Sequence, residues 1–287
     1  MAVFTHAYQG CDGAVTSRWH RPLVIFRYAM ADLFESRLFS VFFTLCFLPS
    51  AVVMVMIYMR YNLELLIQFD LRFEELLDID AEFFAYWLQR WQSGVSFVLI
   101  MLIGPTLVSP DLRNNALSLY LSRSITRTSY VVGKLMVLLV LCSAITWIPA
   151  ILLILFQSYL GGSEWLLANL HLLTAPILVS LIWIGTLSMI SLAVSAWVKW
   201  KVLSRLFFFG IFFVGSAISA IIREVFGGWA GSLANIAELS DVLIAGVYGV
   251  RASFQMPLTY ALSTFLLLTV VSVILLARRI RAFEVSS

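Results

Sequence analysis

The stretch LMVLLVLCSAITWIPAILLILFQSYL, residues 135–160, runs for 26 residues without one Asp, Glu, Lys or Arg. A helix rises about 1.5 Å per residue, so roughly 20 residues cross the ~30 Å hydrocarbon core of a bilayer. Within lipid, only a helix satisfies its backbone hydrogen bonds inside a single segment. The stretch therefore predicts a transmembrane helix.

Five further segments lack charged residues and have similar lengths: 38–59, 91–108, 172–195, 206–222 and 257–277. The whole chain has 287 residues, of which 61% are hydrophobic and 12% are charged, about half the charge of a soluble domain. This composition excludes a soluble enzyme, a disordered chain and a nucleic-acid binder. We expect one all-α integral membrane domain, with a cytoplasmic N-terminus at 1–37, six transmembrane helices within 38–277 and a tail at 278–287.

The distribution of charge predicts the orientation of these helices. If the six segments cross the bilayer, 14 of the 19 Lys and Arg residues fall on one side, and 11 of the 16 acidic residues fall on the other. Basic residues favour the cytoplasmic side. Residues 1–37 also lack the apolar core of a cleavable signal peptide. We therefore expect both termini in the cytoplasm and a multi-pass protein of the inner (plasma) membrane, in direct contact with the lipid bilayer.

Two segments outside the charge-free stretches have a helical pattern. RPLVIFRYAMADLFESR (21–37) begins with Pro22 near a helix start, and its apolar residues fall on one face, as in a helix lying along the cytoplasmic interface. A cytoplasmic extension of the first transmembrane helix is the alternative. The acidic loop 60–90 has large apolar residues at helical spacing, which indicates an amphipathic outer helix on the bilayer or on an extracytoplasmic partner.

The second outer loop, 223–256, contains an apolar stretch that Glu238 and Asp241 interrupt. This stretch is too charged for a seventh transmembrane helix and too apolar for a free loop. A short pair of re-entrant or interfacial helices between the fifth and sixth transmembrane helices fits it best.

The cytoplasmic loop SPDLRNNALSLYLSRSITRTSYVVGK (109–134) is the most informative segment. Ser109 is a suitable helix cap, Pro110 suits a first turn, and Asp111 favours the positive end of the helix dipole. An apolar stripe then follows, formed by Leu112, Ala116, Leu119 and Tyr120. Such a stripe suits a protein partner, and packing on the membrane surface or on the transmembrane helices is an equal alternative.

The sequence predicts no catalytic, cofactor-binding or metal-binding residue. Cys11, Cys46 and Cys142 form no spaced set, and no intramembrane protease motif occurs. VVGK at 131–134 resembles the end of a phosphate-binding loop, but Thr128 occupies the position of its first glycine. We expect the chain to bind no cofactor directly and any ATP to be used by a partner subunit.

The stretch GPTLVSPDLRNNALSLYLSRSITRTSYVVGK (104–134) resembles the conserved region of the permeases of type 2 ATP-binding-cassette (ABC) transporters, a class dominated by exporters. The residues at matching places are Asp111, Leu117, Leu119, Leu121, Ser122, Ile125, Thr126, Arg127, Tyr130, Gly133 and Lys134. Ser124 departs from the usual proline, and Asn115 or Ala116 stands where a glycine is common.

The resemblance implies a complex of two six-span permeases and two separate ABC ATPase subunits. By this analogy the helix at 109–121 binds a groove on the ATPase. The residues implied in this coupling are Asp111, Leu112, Arg113, Ala116, Leu117, Leu119, Tyr120, Arg123, Arg127 and Lys134. In the fifth transmembrane helix, the spacing of small residues allows close helix approach, which predicts an interface with a second permease copy or a paired permease. This stripe comprises Gly215, Ser216, Ser219 and Ala220.

Three functions remain open. The first is an exporter permease, for which charge-free transmembrane helices favour an amphiphilic or lipid-like cargo. The second is a mechanotransmitting permease that acts on an extracytoplasmic protein through 60–90, as in nitrous-oxide-reductase maturation. The third is a scaffold without transport activity or an intramembrane enzyme, against which the absence of catalytic groups counts.

Overall fold

The computed structural model of the chain describes residues 20–62, 78–114, 126–254 and 256–280. Within these ranges every regular element is helical and no strand occurs. The described residues include 6 helices that are long and apolar enough to cross a membrane, which confirms the predicted all-α membrane fold. We refer to them as the first to sixth spans: Arg37–Arg60, Ala81–Arg113, Arg127–Gly161, Leu170–Trp197, Lys201–Phe226 and Leu258–Arg279.

Four of the spans are irregular. The fourth begins with a 3-10 helix, Leu170–Leu173, and continues as an α-helix over Ala175–Trp197. The first consists of Arg37–Leu45 and Leu48–Arg60, and the third of Arg127–Ile145 and Trp147–Gly161. In both, a proline lies in the first turn after the break, where its missing N–H costs no hydrogen bond. The second span begins with a short α-helical turn and a π-helix, Phe84–Gln89, before it continues as an α-helix over Arg90–Arg113.

Helices also occur where the sequence predicted them outside the spans. An N-terminal helix covers Arg21–Glu35 and has proline in its first turn. Between the fifth and sixth spans lie a 3-10 helix, Ala230–Ala234, and an α-helix, Ile236–Tyr248, which we call the connecting helix. A short helix at Ser163–Ala168 precedes the fourth span.

The structure corrects two predicted boundaries. The second span starts at Ala81, so residues 81–90 belong to this span and not to a separate outer helix. The remainder of that predicted helix falls largely within 63–77, outside the described residues. The prediction that Ser109 caps a new helix is wrong, because the α-helix continues through Pro105 and Pro110 to Arg113. The Ser109 hydroxyl instead donates to the Val198 carbonyl oxygen, at 2.8 Å.

The fourth span is the centre of the bundle. In its most apolar window 61% of residues are buried, against 17%, 11% and 22% in the first, fifth and sixth spans. Its largest contacts are with the second and sixth spans. Gly104 of the second span allows the closest approach, since a Cβ at that position would lie 1.9 Å from Ser191 Oγ. The other spans surround this pair, and the first, fifth and sixth have the smallest buried shares.

Contacts between span ends define two ends of the bundle. At the first end, Asp111 pairs with Lys134 and Arg279 donates to the Ala196 carbonyl oxygen. We call it the basic end, because Arg113, Lys199 and Lys201 also lie there. At the opposite end, Arg90 pairs with Asp241 and Arg223 pairs with Glu238. We call it the acidic end.

Candidate functional site

Asp111, in the last turn of the second span, is the centre of a polar junction at the basic end. Its Oδ2 accepts a hydrogen bond from Tyr130 Oη at 2.7 Å and lies 3.0 Å from Lys134 Nζ. The Lys134 ammonium also lies 5.7 Å from the centroid of the Tyr130 ring. The side chains of Lys134 and Asp111 are only 11% and 18% exposed, so water screens this pair less than a surface pair.

The third span supplies both partners of Asp111, and ordinary helix geometry brings them together. Thr126 caps this span, since its Oγ1 accepts a hydrogen bond from the Ser129 backbone N–H at 3.2 Å. The helix then begins at Arg127, which is exposed in the first turn. Tyr130 and Lys134 are four residues apart and share one helix face, so both reach the same carboxylate.

The N-terminal helix crosses the third span at Gly133, next to this junction. A Cβ on Gly133 would lie 2.9 Å from the Pro22 carbonyl oxygen and 2.9 Å from Ile25 Cβ. Ile25 is also the buried residue of the N-terminal helix. Only a glycine permits so close an approach, so the junction fixes the N-terminal helix as well as two spans.

The other residues of the predicted coupling segment are only partly described. Leu112 is half-buried and packs against the apolar core. Arg113 is exposed, with its guanidinium 5.9 Å from the centroid of the Trp200 ring. The structure therefore brings Asp111 and Lys134 together and leaves Arg113 and Arg127 apart from them. Five predicted residues lie outside the described residues: Ala116, Leu117, Leu119, Tyr120 and Arg123.

The small residues of the fifth span face in two directions. A Cβ on Gly215 would lie 2.4 Å from the Ala234 carbonyl oxygen, and Ser219 is fully buried. These two residues thus permit close packing against the 3-10 helix of the same chain. Ser216 and Ala220 are exposed. An interface with a second permease remains a prediction, and these exposed residues are the ones available for it.

Two ion pairs at the acidic end were not expected from the sequence. On the connecting helix, Asp241 lies 2.9 Å from Arg90 of the second span, and Glu238 pairs with Arg223 of the fifth. Asn235 Nδ2 also donates to Glu238, at 2.9 Å. The three-residue spacing of the acids places them on one helix face. This spacing was the feature of the sequence that indicated a shared role for the two acids.

The two carboxyl groups respond differently to their surroundings. Burial raises the pKa of Asp241, and the nearby Arg90 charge only partly opposes this effect. Burial also acts to raise the pKa of Glu238, but hydrogen bonds from Ser232, Arg223 and Asn235, with the Arg223 charge, lower it overall. Glu238 is therefore the better stabilised anion of the two.

Neutral polar side chains connect the spans next to the acidic end. Gln89 Nε2 donates to Ser180 Oγ at 3.1 Å, and Tyr248 Oη donates to Gln89 Oε1 at 3.1 Å. Trp183 Nε1 lies 3.1 Å from Ser96 Oγ, which joins the second and fourth spans again. The described residues contain no group of three His, Cys, Asp or Glu side chains that could hold a metal ion.

Comparisons with known proteins give no match, whether with protein-family models, curated proteins or solved structures. A proposal for the function therefore has to rest on two observations: the junction at Asp111 and the sequence of the loop that this junction closes.

Proposed function

We propose that the chain is the permease subunit of an ABC transporter of the exporter class, coupled to separate ATPase subunits through the 109–134 loop. The observation that carries this proposal is the junction of Asp111, Tyr130 and Lys134. It ties together the two ends of the segment that resembles the coupling region of type 2 permeases. A loop with joined ends transmits a push to both spans, whereas a loop with separate ends would deform.

The contacts around the junction supply a path for such a push. The second and third spans meet at Asp111 and Lys134, and the N-terminal helix is held against the third span at Gly133. The Ser109 hydroxyl adds the end of the fourth span through Val198. A force on the loop thus reaches three spans and the N-terminal helix at once.

In this proposal both termini are cytoplasmic, the basic end faces the ATPase, and the protein resides in the inner (plasma) membrane. ATP is bound and hydrolysed by the partner subunit. A second permease completes the pathway, and an amphiphilic or lipid-like cargo suits the apolar spans. Six helices able to cross a membrane support the multi-pass arrangement.

One observation favours a mechanotransmitting permease as the second candidate. The second span has 33 residues, which corresponds to about 50 Å of helix against ~30 Å of hydrocarbon. Its first turns precede the predicted charge-free segment 91–108, and they contain the buried side chains of Phe83 and Phe84. A continuous helix of this length would carry motion from the basic end to an extracytoplasmic partner.

The test of the proposed function is co-purification of an ATPase. A tagged chain is purified from its native membranes in mild detergent, and vanadate-sensitive ATP hydrolysis is measured in the eluate. We expect activity with the wild type and its loss with Leu119→Glu, because a charge in a buried apolar anchor of an interface costs about 2 kcal/mol or more. Arg113→Ala is the matched control and should retain the activity, since rim charges contribute less than about 1 kcal/mol.

Equal recovery of ATPase activity with the wild type and Leu119→Glu would refute coupling through this loop. Absence of ATPase activity from the wild type, with the chain intact in the membrane, would refute the proposal as a whole. Reconstitution of the active complex in liposomes then separates the two candidates. An exporter releases an amphiphile in response to ATP, whereas a mechanotransmitter changes only the state of an added extracytoplasmic protein.

A further inference from the structure

A cluster of cations surrounds an exposed tryptophan at the basic end, away from Asp111. Arg113 of the second span, Lys199 of the loop between the fourth and fifth spans, and Lys201 of the fifth span are all exposed. Trp200 is 69% exposed, and the Arg113 guanidinium lies 5.9 Å from its ring centroid. We call these four residues the basic patch.

The fold holds the basic patch together. The fourth span ends at Trp197 and the fifth begins at Lys201, so the loop between them is short. The hydrogen bond from Ser109 to the Val198 carbonyl oxygen keeps the end of the second span beside this loop. Arg113, four residues after Ser109, is thereby held near Trp200.

The positive charge of the basic patch has no counterion among the residues that the structure describes. Among the described residues, no carboxylate forms an ion pair with Arg113, Lys199 or Lys201. Asp111 is close to Arg113 in sequence, but Lys134 and Tyr130 already bind its carboxylate. The patch therefore retains an affinity for an external anion.

An apolar groove on the fifth span starts directly beyond the basic patch. It has a volume of about 650 Å³. Gly210 faces open space in it, since a Cβ at this position would have no atom within 4 Å. The groove is lined by residues at helical spacing, among them Leu203, Leu206, Phe207, Gly210, Ile211 and Val214.

We propose that the basic patch and this groove form a binding site for one anionic phospholipid. The lysines and Arg113 bind the headgroup phosphate, Trp200 lies at the level of the headgroups, and an acyl chain occupies the groove. Tryptophan is typical of the membrane interface, and clustered Lys and Arg next to a span attract anionic lipids. A phospholipid matches both parts of the site, because cations and a lipid-facing apolar groove adjoin each other.

The exposed residues of the predicted permease interface, Ser216 and Ala220, do not line the groove, whereas Gly215 of the same stripe does. Ser204, Phe208 and Ser219 mark the face that is buried against the chain. The groove lies on one side of this buried face, and Ser216 and Ala220 lie on the other. The lipid site does not depend on the proposed function.

The test uses the purified, delipidated chain in detergent, without any ATPase. The chain is titrated with phosphatidylglycerol or phosphatidylcholine, and bound lipid is counted by native mass spectrometry. We expect the wild type to prefer phosphatidylglycerol. The double variant Lys199→Gln/Lys201→Gln should bind phosphatidylglycerol roughly 30-fold more weakly, as expected for losing two interfacial lysines, and phosphatidylcholine as before.

Three further variants make the test specific. Lys199→Arg/Lys201→Arg should keep the preference for phosphatidylglycerol, because the charges remain. Gly210→Phe places a large ring in the open space of the groove and should weaken the binding of both lipids. Arg37→Gln removes an exposed cation of the first span at the same end and should leave binding unchanged.

Several outcomes would overturn the proposal. One is an unchanged preference for phosphatidylglycerol in the Lys199→Gln/Lys201→Gln variant, and another is an equal loss in Arg37→Gln. Displacement of phosphatidylglycerol by inorganic phosphate at the same concentration would also overturn it, since this result would show an anion site without a role for the groove.

Discussion

Asp111→Asn removes the negative charge between Tyr130 and Lys134 and leaves the size of the side chain unchanged. The Lys134 ammonium, 3.0 Å from the carboxylate and only 11% exposed, then has no counterion in the junction. Removing one partner of a buried ion pair costs about 3–5 kcal/mol. Because this junction lies at a span end with residual access to water, we expect Asp111→Asn to lower the free energy of unfolding by about 2–3 kcal/mol.

The partner variant is expected to cost less. Lys134→Met removes the ammonium, but Asp111 still accepts the hydrogen bond from Tyr130 at 2.7 Å. A hydrogen bond to a charged group contributes about 1.5–3 kcal/mol, so we expect a loss of roughly 1–2 kcal/mol. The double variant has neither buried charge, and its cost should fall below the sum of the two single variants by at least 1 kcal/mol.

The assay is reversible unfolding in mixed micelles by titration with SDS, followed by tryptophan fluorescence. The two single variants and the double variant form a double-mutant cycle, with Arg127→Gln as a control for the loss of an exposed cation in the same helix, about two turns before Lys134. Additivity of the two single variants within about 0.5 kcal/mol would show that Asp111 and Lys134 do not interact. The proposed transmission of force through this junction would then have no physical basis.

Three other predictions follow from the packing and the charges. Gly133→Ala should destabilise the protein by about 1–3 kcal/mol, because its Cβ would meet Pro22 and Ile25 at 2.9 Å; the control Gly94→Ala, with no atom within 4 Å of its Cβ, should be neutral or stabilising in the same SDS titration. Because the pKa of Asp241 is raised above 3.8, its stabilising contribution is complete below pH 3.8 and is lost as the pH rises through the raised pKa. Asp241→Asn should therefore gain stability relative to the wild type as the pH rises from about 4, and equal pH profiles would contradict the burial of this group. Cysteines at Asp78 and Asn235 should react with an impermeant thiol reagent in intact cells, whereas a cysteine at Asn114 should not; labelling at Asn114 would reverse the predicted orientation.

The existence of the six spans was predictable because each contains a stretch of about 20 residues without charge, and charged side chains are costly inside the hydrocarbon core. Their ends were not predictable in the same way. The second span begins at Ala81 and continues through Glu82 and Arg90. Both charged residues are exposed, whereas Phe83, Phe84 and Leu88 between them are buried. Burial of this kind depends on neighbours that the local sequence does not reveal.

The error at Ser109 has a similar cause. Ser-Pro-Asp is a common start of a helix, so the local pattern favoured a cap. In the structure the second span continues through it, and the Ser109 hydroxyl bonds to Val198, 89 residues later in the chain. Arg205 also binds the second span near one of its prolines. Its guanidinium donates to the Leu102 carbonyl oxygen at 2.9 Å, close to Pro105. Both partners are distant in sequence.

The polar groups of the acidic end show the limit of reasoning from single segments. Glu238 and Asp241 were interpreted only as interruptions of an apolar stretch. Their partners Arg223 and Arg90 belong to two different spans, 15 and 151 residues away. Arg223 helps to offset the cost of burying the Glu238 charge, and Arg90 only partly offsets that cost for Asp241. Together the two pairs attach the connecting helix to both spans.

The two ends of the bundle are connected through the pair formed by the second and fourth spans. At the basic end this pair is joined by Ser109 and Val198, and near the acidic end by Gln89 and Ser180. Between these points Gly104 packs directly against Ser191, so the two helices have little freedom to slide independently. A displacement of the loop at Asp111 would therefore move the second and fourth spans together. Under the proposed function, Arg90 would then transfer this movement to Asp241 and the connecting helix at the acidic end.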